Sequence, residues 1–148
     1  MKKILFILIL TFGYSKITFG QSEEAQIKKT METFFEGMYK RDTMLIKSVL
    51  HKNCSLNSVN IKPDQAATQK SESIGGFLKS ISTIPQNVVL EERLLNHKIQ
   101  IDEALAIDWT PYEFYVNQKL SHQGTNVFTL IKTENTWRIF AIIDTRKR

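Results

Sequence analysis

What this chain lacks narrows it first. It has a single cysteine, Cys54, so no disulfide can form within one chain, and a domain of this length folds without one even in an oxidising compartment. It has no uninterrupted apolar run of the roughly 20 residues that a membrane-spanning helix needs; the run from Ile4 to Phe12 is stopped by Tyr14, Ser15 and Lys16. It has no glycine-rich phosphate loop and no dinucleotide fingerprint, Gly75-Gly76 standing alone. None of its serines sits in a nucleophile-elbow pattern, and Cys54 has no recognisable partner set, so a nucleophilic triad is not read here.

What is present begins with a leader. Met1-Lys2-Lys3, the apolar stretch Ile4 to Phe12 and the small residues Gly13, Ser15, Thr18 and Gly20 follow the order of a translocation signal. Residues 1–20 are therefore expected to be a cleaved signal peptide, with the cut before Gln21 and one domain over residues 21–148. That places the working domain in the periplasm or outside the cell, with no stable membrane span after cleavage. Lys2, Lys3 and Lys16 leave with the leader, so 20 Lys and Arg fall to 17 against 15 Asp and Glu, a net charge of +2. The basic balance of the whole chain is thus mostly the leader's, and nucleic acid is not expected as a partner.

Along the domain, helices come first. Ile27, Met31, Phe34, Phe35 and Met38 form a stripe at helical spacing, opened by Ser22 as N-cap with Glu23 and Glu24 in the first turn. Asp42 reads as the next N-cap, before Leu45, Ile46, Val49 and Leu50. A third helix is predicted over residues 71–81, weakened by Gly75-Gly76. Residues 55–59 read as a short strand and the polar segment 60–72 as a mobile loop at a pocket edge. The last sixty residues change to runs rich in aromatic and β-branched residues at 88–90, 94–101, 104–116, 124–132 and 137–144. Asn117-Gln118 and Asn135-Thr136 are read as the turns between the later runs. The expected fold class is α+β, the N-terminal helices packed on a curved, mixed and mostly antiparallel β-sheet.

Alternation then sorts side chains. In the run 104–116 one face receives Ala106, Asp108, Thr110, Tyr112 and Phe114, the other Leu105, Ile107, Trp109 and Tyr115, unless a bulge at Pro111 switches the phase. His122, Gly124, Asn126, Phe128 and Leu130 share a face of the next strand. In the last, Trp137, Ile139, Ala141 and Ile143 oppose Arg138, Phe140, Ile142 and Asp144. Apolar residues on both faces predict a homodimer through the outer one. Trp109, Tyr112, Phe114 and Phe128 are the expected apolar wall of a ligand pocket, with His51, Asp108 or His122 as polar contacts. No catalytic residue is assigned; Asp108 and His122 are the candidates for a general base, alongside Asp144 at a strand end. His51 and Cys54 have an i,i+3 spacing, but no second close pair accompanies them, so no metal is expected, and no cofactor either. Cys54 reads as a buried, inert thiol.

Five stretches together, Ile27 to Met38, Asp42 to Leu50 with His51, Ala106 to Tyr115, Gly124 to Phe128 and Trp137-Arg138-Ile139, resemble a nuclear transport factor 2-like domain. The likeness covers Glu24 to Thr145. It implies the cystatin-like cone that also carries the SnoaL-like families and those named for lumazine binding. Members include isomerases, cyclases and dehydratases as well as non-catalytic binders and dimerisation modules. Those resembling ketosteroid isomerase use a carboxylate base with a tyrosine and an acidic partner as donors, a set that does not map onto this chain around Tyr39. The expected function is an exported domain that binds an apolar or aromatic small molecule. The alternatives are a cofactor-independent isomerase or lyase using Asp108 or His122, and a structural dimerisation module with no open pocket.

Overall fold

A computed structural model describes residues 22–147; the predicted leader and its cleavage site lie outside these residues. The first helix, α1 (Glu23–Lys40), starts where Ser22 Oγ accepts from the Ala25 amide at 3.2 Å and buries the predicted stripe of Ile27, Met31, Phe34 and Phe35. It ends at Arg41, in the left-handed region at φ 57°, and turns at once into α2 (Thr43–Val49), capped by Asp42. Gly37 permits that sharp corner, because a Cβ there would lie 2.7 Å from Ile46 Cγ1.

Seven strands follow among the described residues: β1 (Leu50–Ile61), β2 (Thr68–Glu72), β3 (Leu90–Leu94), β4 (Lys98–Asp102), β5 (Leu105–Val116), β6 (Lys119–Thr133) and β7 (Thr136–Lys147). A third helix, α3 (Ile74–Ser82), links β2 to β3 and is capped by Ser73. The sheet order is β2-β1-β7-β6-β5-β3, with β4 also paired to β5. β1 runs parallel to β7, and every other pairing is antiparallel.

This topology corrects the expected cystatin-like cone. β2 and β3 are opposite ends of the hydrogen-bonded path and do not pair with each other. The architecture is an open, mixed and mostly antiparallel sheet with helices packed on it, not a curved sheet closing into a cone. The polar segment 60–72 is also more ordered than expected: β1 extends into its start, ending at Ile61, and Thr68–Glu72 pairs back as β2. The strand read over 55–59 stands within β1; polar side chains hid β2, since the backbone ladder holds it at the sheet edge without apolar alternation. The run 94–101 divides into β3 and β4. The final hairpin turn is Glu134-Asn135, both at positive φ of 51° and 58°, one residue earlier than predicted, whereas Asn117-Gln118 stands as read at 50° and 65°.

Pro111 does not switch the phase of β5. It lies in the gap between β4, paired as far as Trp109, and β3, paired from Tyr112, and its carbonyl accepts from the Leu95 amide at 2.9 Å. A residue's N–H and C=O point to the same side of an antiparallel strand, so the missing N–H of Pro111 is not one that β6 requires. Ala106, Asp108, Thr110 and Tyr112 are accordingly all buried on the helix side. The irregularities sit elsewhere: in β6, where Phe114 faces His122 but Tyr115 faces Leu120, leaving Ser121 as the extra residue, and in β7, where Thr129 faces Ala141 but Leu130 faces Ile139, leaving Phe140 as the extra residue. Across that bulge the buried set passes from Trp137 and Ile139 to Ile142 and Asp144.

Candidate functional site

The core under α1 is closed by Ile27, Met31, Leu130, Trp137 and Ile139. Toward the other end of the inner sheet face the packing opens into a cavity of about 270 Å³. Its apolar walls are Phe34, Phe35 and Met38 from α1, Phe77 and Ile81 from α3, and Phe114, Phe128 and Ile142 from the sheet. The aromatic rings brace one another: Phe34 stacks on Phe77 at 5.9 Å and meets Phe128 edge-on at 6.3 Å. Such walls supply area and shape but no orientation.

Orientation comes from a polar end. Asp144, brought inward by the β7 bulge, accepts from Ser58 Oγ at 2.5 Å, Tyr112 Oη at 3.1 Å and Arg146 Nε at 2.7 Å. Both of its oxygens are therefore occupied, and it serves to fix the tyrosine and the guanidinium. The single Tyr112 hydroxyl hydrogen is shared between Asp144 and Thr145 O, the latter at 3.0 Å. That approach depends on Gly124, where a Cβ would fall 1.7 Å from the same carbonyl oxygen. Burial, with Asp144 and Glu92 nearby, holds the Tyr112 hydroxyl well above its usual pKa, so it remains a neutral phenol.

Glu92 is the group left open. Its Oε1 accepts from Asn126 Nδ2 at 2.6 Å, while among the described residues Oε2 has no hydrogen-bond partner. It is not a sealed, orphaned atom either, and Glu92 lines the cavity as well as a groove outside α1. The residue as a whole is half-buried, but its carboxyl is largely desolvated. Desolvation pushes its pKa up to about 7, aided by the Asp144 charge and opposed by the Asn126 hydrogen bond and by Arg146. A carboxyl beside open volume that exchanges a proton near neutrality can donate to or accept from a bound molecule.

Of the residues singled out from sequence, Tyr112, Phe114, His122 and Phe128 line this cavity together. His122 stacks on Phe114 at 4.9 Å between ring centroids. Trp109 is on the opposite face of β5 and is 50% exposed, so it cannot share the cavity with Tyr112. His51 is at the start of β1, its ring 5.4 Å from that of Phe140. Asp108 is on the inner face but outside the cavity, fully buried, with Oδ2 2.7 Å from His97 Nδ1 and Oδ1 without a hydrogen-bond partner among the described residues. Cys54 packs against the core, and burial pushes its thiol up to about 11, which disfavours the nucleophilic thiolate.

Glu92 was missed, although a signal for it exists. Leu90 and Leu94 flank it at a spacing of two on either side, which puts a carboxylate on the apolar face of any strand they form. No cluster of three or more metal-ligating side chains is present among the described residues. No helix among them is long and apolar enough to cross a membrane.

Comparison by sequence finds no matching protein-family model and no matching curated relative. Solved structures do match. A protein of unknown function from Mycobacterium tuberculosis superposes with a TM-score of 0.68 at 12% identity, over 85% of this chain and 72% of the other. A nuclear transport factor 2-like protein from Cytophaga hutchinsonii gives 0.64 at 12% identity, over 85% and 99%. A protein of unknown function with a cystatin-like fold from Nostoc punctiforme gives 0.63 at 9% identity, over 83% and 90%. At such identities the likeness speaks for fold alone: the chain has the nuclear transport factor 2-like, cystatin-like fold, here with an open sheet.

Proposed function

We propose that this is an exported domain that binds a compact apolar or aromatic small molecule in the cavity between α1, α3 and the inner sheet face. The observation that carries the reading is the pairing of an aromatic enclosure with a desolvated carboxyl, Glu92, that has an oxygen without a hydrogen-bond partner among the described residues. A volume of about 270 Å³ lies at the lower edge of the ~300–1,000 Å³ usual for small-molecule sites, which favours a ring-sized ligand over an extended one. The leader motif supports export. The apolar outer face, with Trp109, Val127 and Ile143 in one cross-strand row, supports a homodimer. An open cavity speaks against a purely structural module.

Native mass spectrometry of the protein purified from its own compartment tests this directly. A retained small molecule, lost in a Phe128→Ala variant, is the expected result. An apo mass under gentle ionisation, with no uptake of small aromatic probes, would count against it.

A second reading is a cofactor-independent isomerase or lyase, and Glu92 favours it over the bases first considered. Its carboxyl combines access to open volume with a pKa near neutrality, whereas Asp108 is sealed beside His97. If turnover of a carbonyl or hydroxy compound is found, Glu92→Gln should lower kcat by about 10²–10⁴-fold. A rate insensitive to that change would assign the pocket to binding only.

A further inference from the structure

β3 ends the sheet, so half of its backbone groups meet no neighbouring strand. The bond from Leu95 N to Pro111 O sets the phase of the pairing. Glu113 and Tyr115 of β5 exchange bonds with Arg93 and Glu91, while Leu90, Glu92 and Leu94 turn their N–H and C=O outward. The same alternation sends the side chains of these three toward the helices, Leu90 and Glu92 reaching the cavity and Leu94 the core. The residue with the open carboxyl thus stands on backbone that the sheet alone leaves unsupported.

Tyr39, near the end of α1, supplies what the missing strand would. Its hydroxyl donates to the Glu92 carbonyl at 2.5 Å and accepts from the Glu92 amide at 3.1 Å. Its ring is held against Phe35 at 6.4 Å, and Phe35 is also a cavity wall. Two residues on, the Arg41 guanidinium donates to Val88 O at 2.5 Å and Pro85 O at 3.1 Å, tying the approach to β3 against the same helix end. Tyr39 does not line the cavity; it sits with Phe35, Leu94 and Glu92 along a shallow groove on the outside of α1.

We infer that Tyr39 is a positioning residue for the Glu92 carboxyl, pinning the backbone of that residue so that its side chain stays at depth beside Asn126. The inference rests on the reading of the cavity as a ligand site in which Glu92 exchanges its proton. Water from the outer groove can replace the hydroxyl as a hydrogen-bond partner but cannot fix the strand in place. Without the hydroxyl, β3 frays at its middle and solvent reaches the carboxyl.

The test is Tyr39→Phe in the full chain, which keeps the ring on Phe35 and removes only the hydroxyl. The readouts need no ligand: carbon-detected NMR titration of the Glu92 carboxyl, and hydrogen exchange at the Glu92 amide. The expected result is a titration midpoint that falls by about one unit toward the ordinary carboxylate range. Glu92 amide exchange should become about tenfold faster, with exchange at Leu130 and Ile139 unchanged. Tyr115→Phe, which removes a hydroxyl bonded to Glu113 at 2.7 Å, should leave the Glu92 midpoint in place. A midpoint unmoved by Tyr39→Phe overturns the inference and leaves the ligand-site reading standing. An ordinary carboxylate midpoint in the unsubstituted protein removes the proton-exchange reading beneath it. Should Tyr39→Phe not fold, the unsubstituted protein still decides: a Glu92 amide exchanging as fast as the outward amides of Leu90 and Leu94 overturns the inference, and a slower one upholds it.

Discussion

The two faces of β5, β6 and β7 are built from similar residues and meet opposite surroundings. On the inner face Ala106, Phe128, Leu130, Trp137 and Ile139 are buried under the helices; on the outer face Leu105, Ile107, Trp109 and Ile143 remain exposed. Alternation along each strand explains why two sets exist. It does not explain which set becomes core, because that depends on where α1 and α3 lie. The buried polar groups are on the inner face as well: Asp108, Thr110, Asn126 and Asp144. Buried polar groups need partners, and around Asp144 those partners converge into a site, whereas the outer face carries area without a polar anchor.

The largest expected effect that would break this contrast is Gly124→Ala. With a Cβ 1.7 Å from Thr145 O, β6 and β7 must separate where Tyr112 reaches that carbonyl. A loss of about 4 kcal/mol in denaturant unfolding is expected, together with disruption of the Tyr112–Asp144 bond. Phe128→Ala comes next, at about 3 kcal/mol, with loss of small-molecule uptake. Stability within ~0.5 kcal/mol of the unsubstituted protein would show that the inner face is not the core described.

Glu92 gives an intermediate effect that appears as pH dependence. Its carboxyl has a pKa of about 7 when folded against an ordinary 4.5, so between those values the folded state keeps a proton that the unfolded chain has released. The stabilisation is complete below pH 4.5, shrinks as the pH rises, and is gone above about 7. Glu23, Glu24, Glu36 and Glu91 have lowered values through their cationic or hydrogen-bonding partners and act in the opposite direction. The difference between the protein and Glu92→Gln, measured across this interval, isolates the Glu92 contribution. A difference that does not vary with pH would contradict a desolvated carboxyl.

The smallest effect on folding is expected for Trp109→Ser. Being half exposed, Trp109 should change the stability of the single chain by only ~0.5 kcal/mol, while sedimentation shifts from dimer to monomer. Unchanged sedimentation would leave the outer face without its proposed partner; a loss of several kcal/mol would mean it is packed within one chain.

Much of the architecture was legible because its signals are local. The stripe from Ile27 to Met38, the caps Ser22 and Asp42, and the alternation of β5 depend on residues a few positions apart. Tyr112, Phe114, His122 and Phe128 were read as wall or polar candidates because β5 and β6 keep regular phase where those residues lie. The rest depended on distant partners. β1 was legible only over residues 55–59, and polar β2 became a strand by pairing with it, with no apolar pattern to announce it. Trp109 and Tyr112 were separated because Pro111 lies where no ladder bond is required of it.

What the sequence by itself determined was the buried face of α1, the caps that open α1 and α2, and the sets of side chains sharing a face of β5 and of β6, since the faces follow from backbone periods of 3.6 and 2 and the caps from residues a few positions apart. The tertiary structure alone decided that the sheet stays open, because closure would require β2 and β3 to meet. It also decided that a bulge at Phe140 carries Asp144 inward, and that Glu92, on an edge strand, is drawn into a desolvated pocket and held there by a hydroxyl from the far end of α1. Each of these is set by contact between segments distant in the chain, and no local period encodes it.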